Sequence, residues 1–107
     1  DMKEKKKSDQ INPTGQEVTS EMVEEYTLKA KQGEVDAQYN LGIMYYHGEG
    51  IQKNLEEAMF WFLKAAQKDD SDAQYNLGFM YGKGEGVEKS HEQSMQWFMK
   101  AAQQGPP

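Results

Sequence analysis

Two stretches of this chain decide its fold: AQYNLGIMYYHGEGIQKNLEEAMFWFLKAAQK, residues 37–68, and AQYNLGFMYGKGEGVEKSHEQSMQWFMKAAQQ, residues 73–104. Aligned without a gap at a shift of 36 positions, they are identical at 20 of 32 positions. A fixed period in this range is typical of helical solenoids. A partial third copy lies upstream, where YTLKAKQ (26–32) matches WFLKAAQ (61–67). The chain therefore contains about two and a half repeats.

Each whole repeat is predicted to form two antiparallel helices, called helix A and helix B. In helix A, apolar residues recur at i, i+4 and i+8, which is the spacing of one helical face. These residues are Ala37, Leu41 and Tyr45 in the first copy and Ala73, Leu77 and Tyr81 in the second. Asp36 and Asp72 stand directly before them and are the predicted N-caps. Gly-Glu-Gly segments at 48–50 and 84–86 then end helix A, because glycine adopts positive φ at little cost.

Helix B is predicted to begin after Asn54 or Ser90, where Ser90 with Gln93 fits a capping box. Its buried face is Ala58, Trp61, Phe62, Ala65 and Ala66, with Ser94, Trp97, Phe98, Ala101 and Ala102 as the second copy. The half repeat, about Ser20 to Gln32, supplies a lone helix B that ends at Gly33. We therefore predict an all-α fold of about five helices: an α/α superhelix, that is, a right-handed solenoid of antiparallel helix pairs.

The composition changes near residue 20, which predicts the domain boundaries. Residues 1–19 are Lys-rich, carry Pro13 and Gly15 and have almost no apolar residues, which predicts a disordered or extended lead-in. Residues 20–105 are the predicted repeat domain, divided into a half repeat at 20–33 and repeats at 34–69 and 70–105.

Glycine also occurs in the middle of helix A, at Gly42 and Gly78, where it costs about 1 kcal/mol relative to Ala. We expect close approach of a neighbouring helix to compensate for this cost. The predicted contacts are the alanine pairs Ala65–Ala66 and Ala101–Ala102.

The overall composition excludes several classes of protein. The chain has no Cys, so it cannot form a disulfide scaffold or a Cys-based metal or redox site. Its longest apolar run is six residues, 58–63, which is too short for an integral membrane segment. A net charge of −6 with no Arg argues against a nucleic-acid-binding surface. The compartment stays open, since the composition is compatible with a cytoplasmic, periplasmic or secreted protein.

Titratable residues are candidates for chemistry, but their placement argues against it. His47 and His91 occupy different repeat positions and lack metal-ligand spacing, so both are predicted to be surface residues. Glu49 and Glu85 recur in the Gly-Glu-Gly loops and are predicted to be solvated. We therefore predict no catalytic residue, no metal site and no cofactor.

The spaced motif in both copies is Ala-x3-Leu-Gly-x2-Tyr-x2-Gly-x-Gly, followed by Trp-Phe-x-Lys-Ala-Ala. This pattern resembles the Sel1-like repeat family, which is related to the tetratricopeptide repeats. The departures are small: Asn54 and Ser90 stand where Asp is usual, and Ser94 replaces the usual Ala. The resemblance implies a non-catalytic protein-interaction scaffold or adaptor. Such proteins serve in signalling, protein quality control and contact between bacteria and their hosts.

In superhelices of this kind helix A lines the concave face, and the resemblance places the partner there. The predicted partner-binding residues for a peptide segment or protein are Tyr39, Asn40, Ile43, Tyr46, His47, Tyr75, Asn76, Phe79 and Lys83. The alternative is that Tyr39, Ile43, Tyr75 and Phe79 only pack between repeats.

The last helix B carries the apolar residues Met95, Phe98 and Met99, and a solenoid end normally needs a polar outer face. Either the chain is a piece of a longer array, or its open ends meet another chain. We predict self-association through this helix. The alternative overall function is therefore a structural or oligomerisation module without a dedicated ligand groove.

Overall fold

The computed structural model describes residues 17–105, and this part of the chain forms five α-helices and no β-strand. The helices are α1 (Ser20–Lys31), α2 (Val35–His47), α3 (Leu55–Gln67), α4 (Ser71–Lys83) and α5 (His91–Gln103). Each helix packs against the next one along the chain. The pairs α2–α3 and α4–α5 are the two predicted helix A–helix B units, and α1 is the lone helix B. The all-α solenoid prediction is confirmed.

The starts of the two complete helices B agree with the predicted caps. The Asn54 side chain accepts a hydrogen bond from the backbone N–H of Glu57 at 3.0 Å, and Ser90 accepts from Gln93 at 3.1 Å. Each bond satisfies one of the N–H groups that the first helical turn leaves unpaired. The backbone N–H of Asn54 donates to the Tyr45 carbonyl at 3.0 Å. This last bond ties the start of α3 to the end of α2.

The predicted caps of helix A were wrong by two residues. The N-caps are Glu34 for α2 and Asp70 for α4, and the Asp70 carboxylate accepts from the Ala73 N–H at 2.9 Å. Asp36 and Asp72 lie within the first turn instead. An acidic side chain is stabilised there by the helix macrodipole as well as at the cap, so the sequence alone did not separate the two positions.

The glycines at the end of helix A behave as predicted. Gly48 and Gly84 both adopt φ 73° as left-handed C-caps, and their N–H groups donate to the carbonyls of Met44 and Met80. This geometry ends the helix and turns the chain toward helix B.

The mid-helix glycines do meet a close neighbour, but the predicted neighbour was wrong. A Cβ added at Gly42 would lie 2.6 Å from the Phe62 ring, and one added at Gly78 would lie 2.6 Å from the Phe98 ring. The aromatic ring of helix B, rather than its alanine pair, therefore fills the space beside each glycine. An aromatic ring needs that space because a flat side chain laid along a helix excludes any Cβ beneath it.

The ordered domain includes two residues that the sequence analysis placed in the lead-in. Val18 is fully buried, and the Thr19 hydroxyl caps α1 by accepting from the Met22 N–H at 3.2 Å. Val18 lies against Gly50 in the first A–B loop, where an added Cβ would come within 2.9 Å of its methyl group. The rest of the predicted lead-in, residues 1–16, lies outside the described residues.

A buried amide links each helix A to the helix B before it. The Gln38 side-chain NH2 donates to the Ala30 carbonyl, and the Gln74 side-chain NH2 donates to the Ala66 carbonyl, both at 3.1 Å. These equivalent bonds join the start of α2 to the end of α1, and the start of α4 to the end of α3. They hold successive repeats in one register.

Candidate functional site

A cavity of about 340 Å³ lies between the two helices A and the helix B that separates them. Its lining residues come from α2, α3 and α4, and they are Ile43, Tyr46, His47, Phe62, Asn76, Phe79, Met80 and Lys83. Six of them belong to the nine partner-binding residues predicted from the sequence. The structure therefore brings together Ile43, Tyr46, His47, Asn76, Phe79 and Lys83.

The floor of the cavity is apolar and fully buried. Phe62 and Met80 are each 1% exposed, and Phe62 is held in place because it fills the space beside Gly42. Phe79, in contrast, stands at the cavity with 53% of its surface exposed. A fixed floor with an exposed aromatic side chain beside it can receive an apolar group without rearranging the core.

Sequence reasoning missed Phe62 and Met80 as members of the site. It assigned Phe62 to the buried stripe of helix B, which is correct, and Met80 to the recurring core methionines. Both residues belong to the core and to the cavity at once. A period of 3.6 residues identifies which face of a helix is buried, but it does not show where packing leaves a gap.

One end of the cavity is polar. The Tyr46 hydroxyl donates to Glu85 Oε1 at 2.8 Å, which joins α2 to the A–B loop of the following repeat. Burial raises the pKa of Tyr46 above its ordinary value, and the hydrogen bond to Glu85 raises the pKa further. The phenol therefore stays protonated at neutral pH and keeps its donor role.

Two basic residues also lie at this polar end. His47 and Lys83 are the last residues of α2 and α4. The imidazole of His47 meets the Tyr46 ring edge-on, with ring centroids 5.0 Å apart. The cavity thus combines an apolar floor with hydrogen-bond donors and a cationic side chain at its end.

The three other predicted site residues, Tyr39, Asn40 and Tyr75, are not in the cavity lining. The Tyr39 ring packs against Phe62 with centroids 5.7 Å apart, and the Asn40 amide donates to the Asp36 carbonyl at 2.9 Å. Tyr75 packs on Phe98 in the equivalent way, at 6.2 Å. Both ring contacts join the two helices of one repeat, whereas the alternative reading had these residues packing between repeats. Phe79 makes the same kind of contact with Phe98, with centroids 5.0 Å apart.

Tyr39 nevertheless contacts residues that line the cavity, since its ring packs on Phe62. Burial raises the pKa of its phenol, while a hydrogen bond with the Asn76 side chain acts in the opposite direction. Asn76 itself lines the cavity. Tyr39 thus lies next to a side chain of the cavity lining.

Glu49 differs from the solvated loop residue that the sequence predicted. It is buried, at 9% exposure, and burial raises the pKa of its carboxyl while the nearby His47 lowers it. Its repeat equivalent Glu85 is partly exposed and accepts the Tyr46 hydroxyl. The two carboxylates thus have the same sequence context and different surroundings.

The other titratable side chains are spread along residues 17–105. No cluster of three or more His, Cys, Asp or Glu side chains in this range has the arrangement of a metal site. His91 begins α5 and is exposed. None of the five helices has the length and apolar character needed to cross a membrane.

The sequence matches the Sel1 repeat family twice, at residues 35–70 and 71–106. A curated relative is the sel1-like repeat-containing protein L18 of Acanthamoeba polyphaga mimivirus, which is 46% identical over 46 residues. That alignment covers 43% of this chain and 8% of the viral protein.

Solved structures give the same family with wider coverage. The Sel1 repeat protein from Oxalobacter formigenes has a TM-score of 0.78 at 36% identity, covering 80% of this chain and 35% of that protein. The protective antigen c5321 of uropathogenic Escherichia coli has a TM-score of 0.80 at 34% identity, and the match covers 81% of this chain and 19% of that protein. Cysteine-rich protein B of Helicobacter pylori has a TM-score of 0.76 at 26% identity, and the match covers 80% of this chain and 65% of that protein. The chain spans less than two thirds of the length of each of these relatives.

Proposed function

The chain belongs to the Sel1 repeat family, and from this premise we propose that it is a non-catalytic scaffold or adaptor that binds a peptide segment or a protein partner on its helix-A face. The observation that carries the proposal is the cavity between α2 and α4. Its floor is apolar, Tyr46, His47 and Lys83 lie at one end, and Phe79 remains half exposed beside it. A concave, largely apolar cavity with a few polar groups is the usual form of a ligand-binding site.

The chemistry of the cavity favours an extended peptide with one apolar anchor. An aliphatic or aromatic side chain fits the floor formed by Phe62 and Met80. The Asn76 amide can pair with both the N–H and the C=O of a backbone that runs across it. His47 and Lys83 favour an acidic or carboxylate group at the end of the cavity where they lie.

Selection from a phage library of random linear peptides, with the purified chain as target, tests this proposal. Enriched peptides are then titrated against three proteins: the wild type, Phe79→Ala and Phe60→Ala. Phe60 is the matched control, since it is 50% exposed on α3 but does not line the cavity. We expect Phe79→Ala to weaken binding roughly tenfold, as a central aromatic anchor does, and Phe60→Ala to leave binding unchanged.

The second candidate function is a structural or oligomerisation module without a ligand groove. The observation that favours it is the exposed apolar face of α5, where Met95 and Met99 are 59% and 55% exposed. Self-association through Met95, Phe98 and Met99 stays a prediction. If no peptide is enriched, or if all enriched peptides bind Phe79→Ala as they bind the wild type, the groove is rejected in favour of this candidate.

A further inference from the structure

A hydrogen bond joins the two complete repeats at the polar end of the cavity. The Tyr46 hydroxyl, in the last turn of α2, donates to Glu85 Oε1 in the A–B loop that follows α4, at 2.8 Å. Among residues 17–105 no other side-chain hydrogen bond runs from a helix A to an A–B loop. The residue equivalent to Tyr46 in the second repeat is Gly82, so this bond belongs to one position of the chain and not to the repeat pattern.

The loop that carries Glu85 is held firmly in place. The backbone N–H of Glu85 donates to the Met80 carbonyl at 2.9 Å, and Gly84 and Gly86 on either side adopt φ 73° and 74°. A Cβ added at Gly86 would lie 2.5 Å from the Leu55 carbonyl oxygen, so the loop rests directly on the backbone of α3. The Glu85 carboxylate therefore changes its partner only by rotation of its own side chain.

The nearest basic residue in the chain is Lys83, two residues before Glu85. Lys83 is the last residue of α4 and lines the cavity. Opposite charges attract, so an unrestrained Glu85 side chain would be drawn toward this ammonium group. Within residues 17–105, however, Lys83 forms no ion pair, and the carboxylate is turned toward Tyr46 of the preceding repeat.

We propose that Tyr46 determines the specificity of the cavity: by holding the Glu85 carboxylate, its hydroxyl leaves the Lys83 ammonium free to bind an acidic group of the partner. The preferred partner is then a peptide with an Asp or Glu beside its apolar anchor. Glu85 and the partner's carboxylate compete for one ammonium group, and the bond to Tyr46 removes the internal competitor. This inference rests on the proposed function, since it concerns the same cavity.

Two pools of synthetic decapeptides serve as the probe. Both pools have a fixed Phe at a central position in a random background of Gly, Ala and Ser. In one pool a single Asp occupies each of the other positions in turn, and in the other pool a single Asn does so. Retention of each peptide on the immobilised full chain is quantified by mass spectrometry, which gives the ratio of Asp to Asn binding.

Three variants separate specificity from a merely structural role. Tyr46→Phe keeps the aromatic ring and removes the hydroxyl, so Glu85 is released toward Lys83. Glu85→Gln removes the competing charge and keeps an oxygen that can accept from Tyr46. The double variant Tyr46→Phe/Glu85→Gln lacks the hydrogen bond and the competing charge together. Tyr45→Phe is the matched control, since Tyr45 is the adjacent residue of α2 and lies outside the cavity lining.

The expected result is a change in charge preference that the second substitution reverses. We expect the wild type and Tyr45→Phe to prefer Asp over Asn roughly fivefold, the upper range for an exposed ion pair. Tyr46→Phe should lose this preference, and Tyr46→Phe/Glu85→Gln should regain it. Glu85→Gln alone should bind the Asp peptides at least as well as the wild type.

The possible failures of this inference and of the proposed function are distinguishable. Peptides that bind the wild type without any preference for Asp overturn the inference and leave the groove in place. A preference that persists in Tyr46→Phe overturns it as well, and so does a loss that Glu85→Gln does not reverse, because the hydroxyl would then act only on stability. If neither pool binds the wild type, the proposed function fails and the inference fails with it.

Discussion

Helices α3 and α5 have closely similar sequences and very different surroundings. LEEAMFWFLKAAQ and HEQSMQWFMKAAQ are identical at eight of 13 positions, and both begin at a capping Asn or Ser. Phe62 is fully buried, whereas the equivalent Phe98 is half-buried. Within the described residues, α3 has two neighbours that α5 lacks: α4, which packs on the side of α3 away from α2, and the loop at Gly86, which contacts Leu55. In a solenoid, the burial of a residue therefore depends on the next repeat as much as on its own sequence.

The side of each helix B that faces its own helix A is the same in both repeats. Ala65 and Ala101 are both fully buried, and both phenylalanine rings occupy the space beside a mid-helix glycine. These contacts within a repeat thus recur in both copies, whereas α5 has no counterpart of the contact that α4 makes with α3. The following experiments test that distinction.

The largest expected difference between the repeats concerns the glycines. Gly42→Leu forces a side chain into the ring of Phe62, which is buried and cannot move, and overpacking of this kind costs about 3 kcal/mol. Gly78→Leu meets Phe98, whose half-exposed ring can turn outward, so its loss should be smaller. Urea unfolding of both variants measures the free energies. Equal losses would mean that α4 does not hold the Phe62 ring in place.

The second-largest difference in stability is expected from a charge on the side of helix B that faces the following repeat in α3 and solvent in α5. Leu63→Glu places a carboxylate between α3 and α4, where desolvation costs about 1–3 kcal/mol. Met99→Glu, at the equivalent position of α5, stays in solvent and should change stability by less than about 0.5 kcal/mol. Thermal melts of the two single variants provide the measurement. A large loss from Met99→Glu would show that this face is covered in solution.

The N-caps of the two complete helices B should instead contribute equally to stability. Asn54→Ala and Ser90→Ala each remove one side-chain hydrogen bond to the first turn, at a cost of about 1 kcal/mol. Because a cap is a contact within one turn, the neighbouring repeat should not alter its contribution. Chemical denaturation of both variants gives the comparison. Losses that differ strongly would contradict the distinction between local and inter-repeat contacts.

The smallest effect concerns the two loop carboxylates. Burial raises the folded-state pKa of Glu49, so the folded chain holds that proton more tightly than the unfolded chain. The resulting stability is fully present below the unfolded pKa of about 4.3 and is lost as the pH rises through the folded pKa. Glu49→Gln should therefore reduce the loss of stability between pH 4 and pH 7.

Glu85→Gln is the matched control for that experiment. It weakens the charge-assisted bond from Tyr46 and should lower stability at pH 7. Unfolding free energies measured at several pH values distinguish the two variants. A Glu49→Gln profile parallel to the wild type would show that the Glu49 carboxyl titrates as in the unfolded chain.

Local features of the fold were predictable because each depends on a few neighbouring residues. The caps at Asn54 and Ser90 and the left-handed Gly48 follow from side-chain reach and steric freedom within one turn. The N-caps of helix A were misplaced because Asp70 and Asp72 both suit a helix start, and only the backbone geometry separates them.

The candidate site was less predictable because it depends on distances across the solenoid. Ile43 and Phe79 line the cavity, and Tyr39 and Tyr75, four residues earlier on the same helices, do not. Yet Phe79 packs on the Phe98 ring, as Tyr75 does. A helical period places all four on one side and does not rank them by depth. The hydrogen bond from Tyr46 to Glu85 joins residues 39 positions apart, so no local sequence pattern predicted it.

The amino-acid sequence by itself determined the repeat, the five helices, their order and the family, since these follow from periodicity and from the capping and turn residues within each unit. The tertiary structure decided which phenylalanine is buried, where the cavity lies and which helix face stays open. Those properties depend on the packing of one repeat against the next, where identical residues in α3 and α5 have different neighbours and therefore different burial.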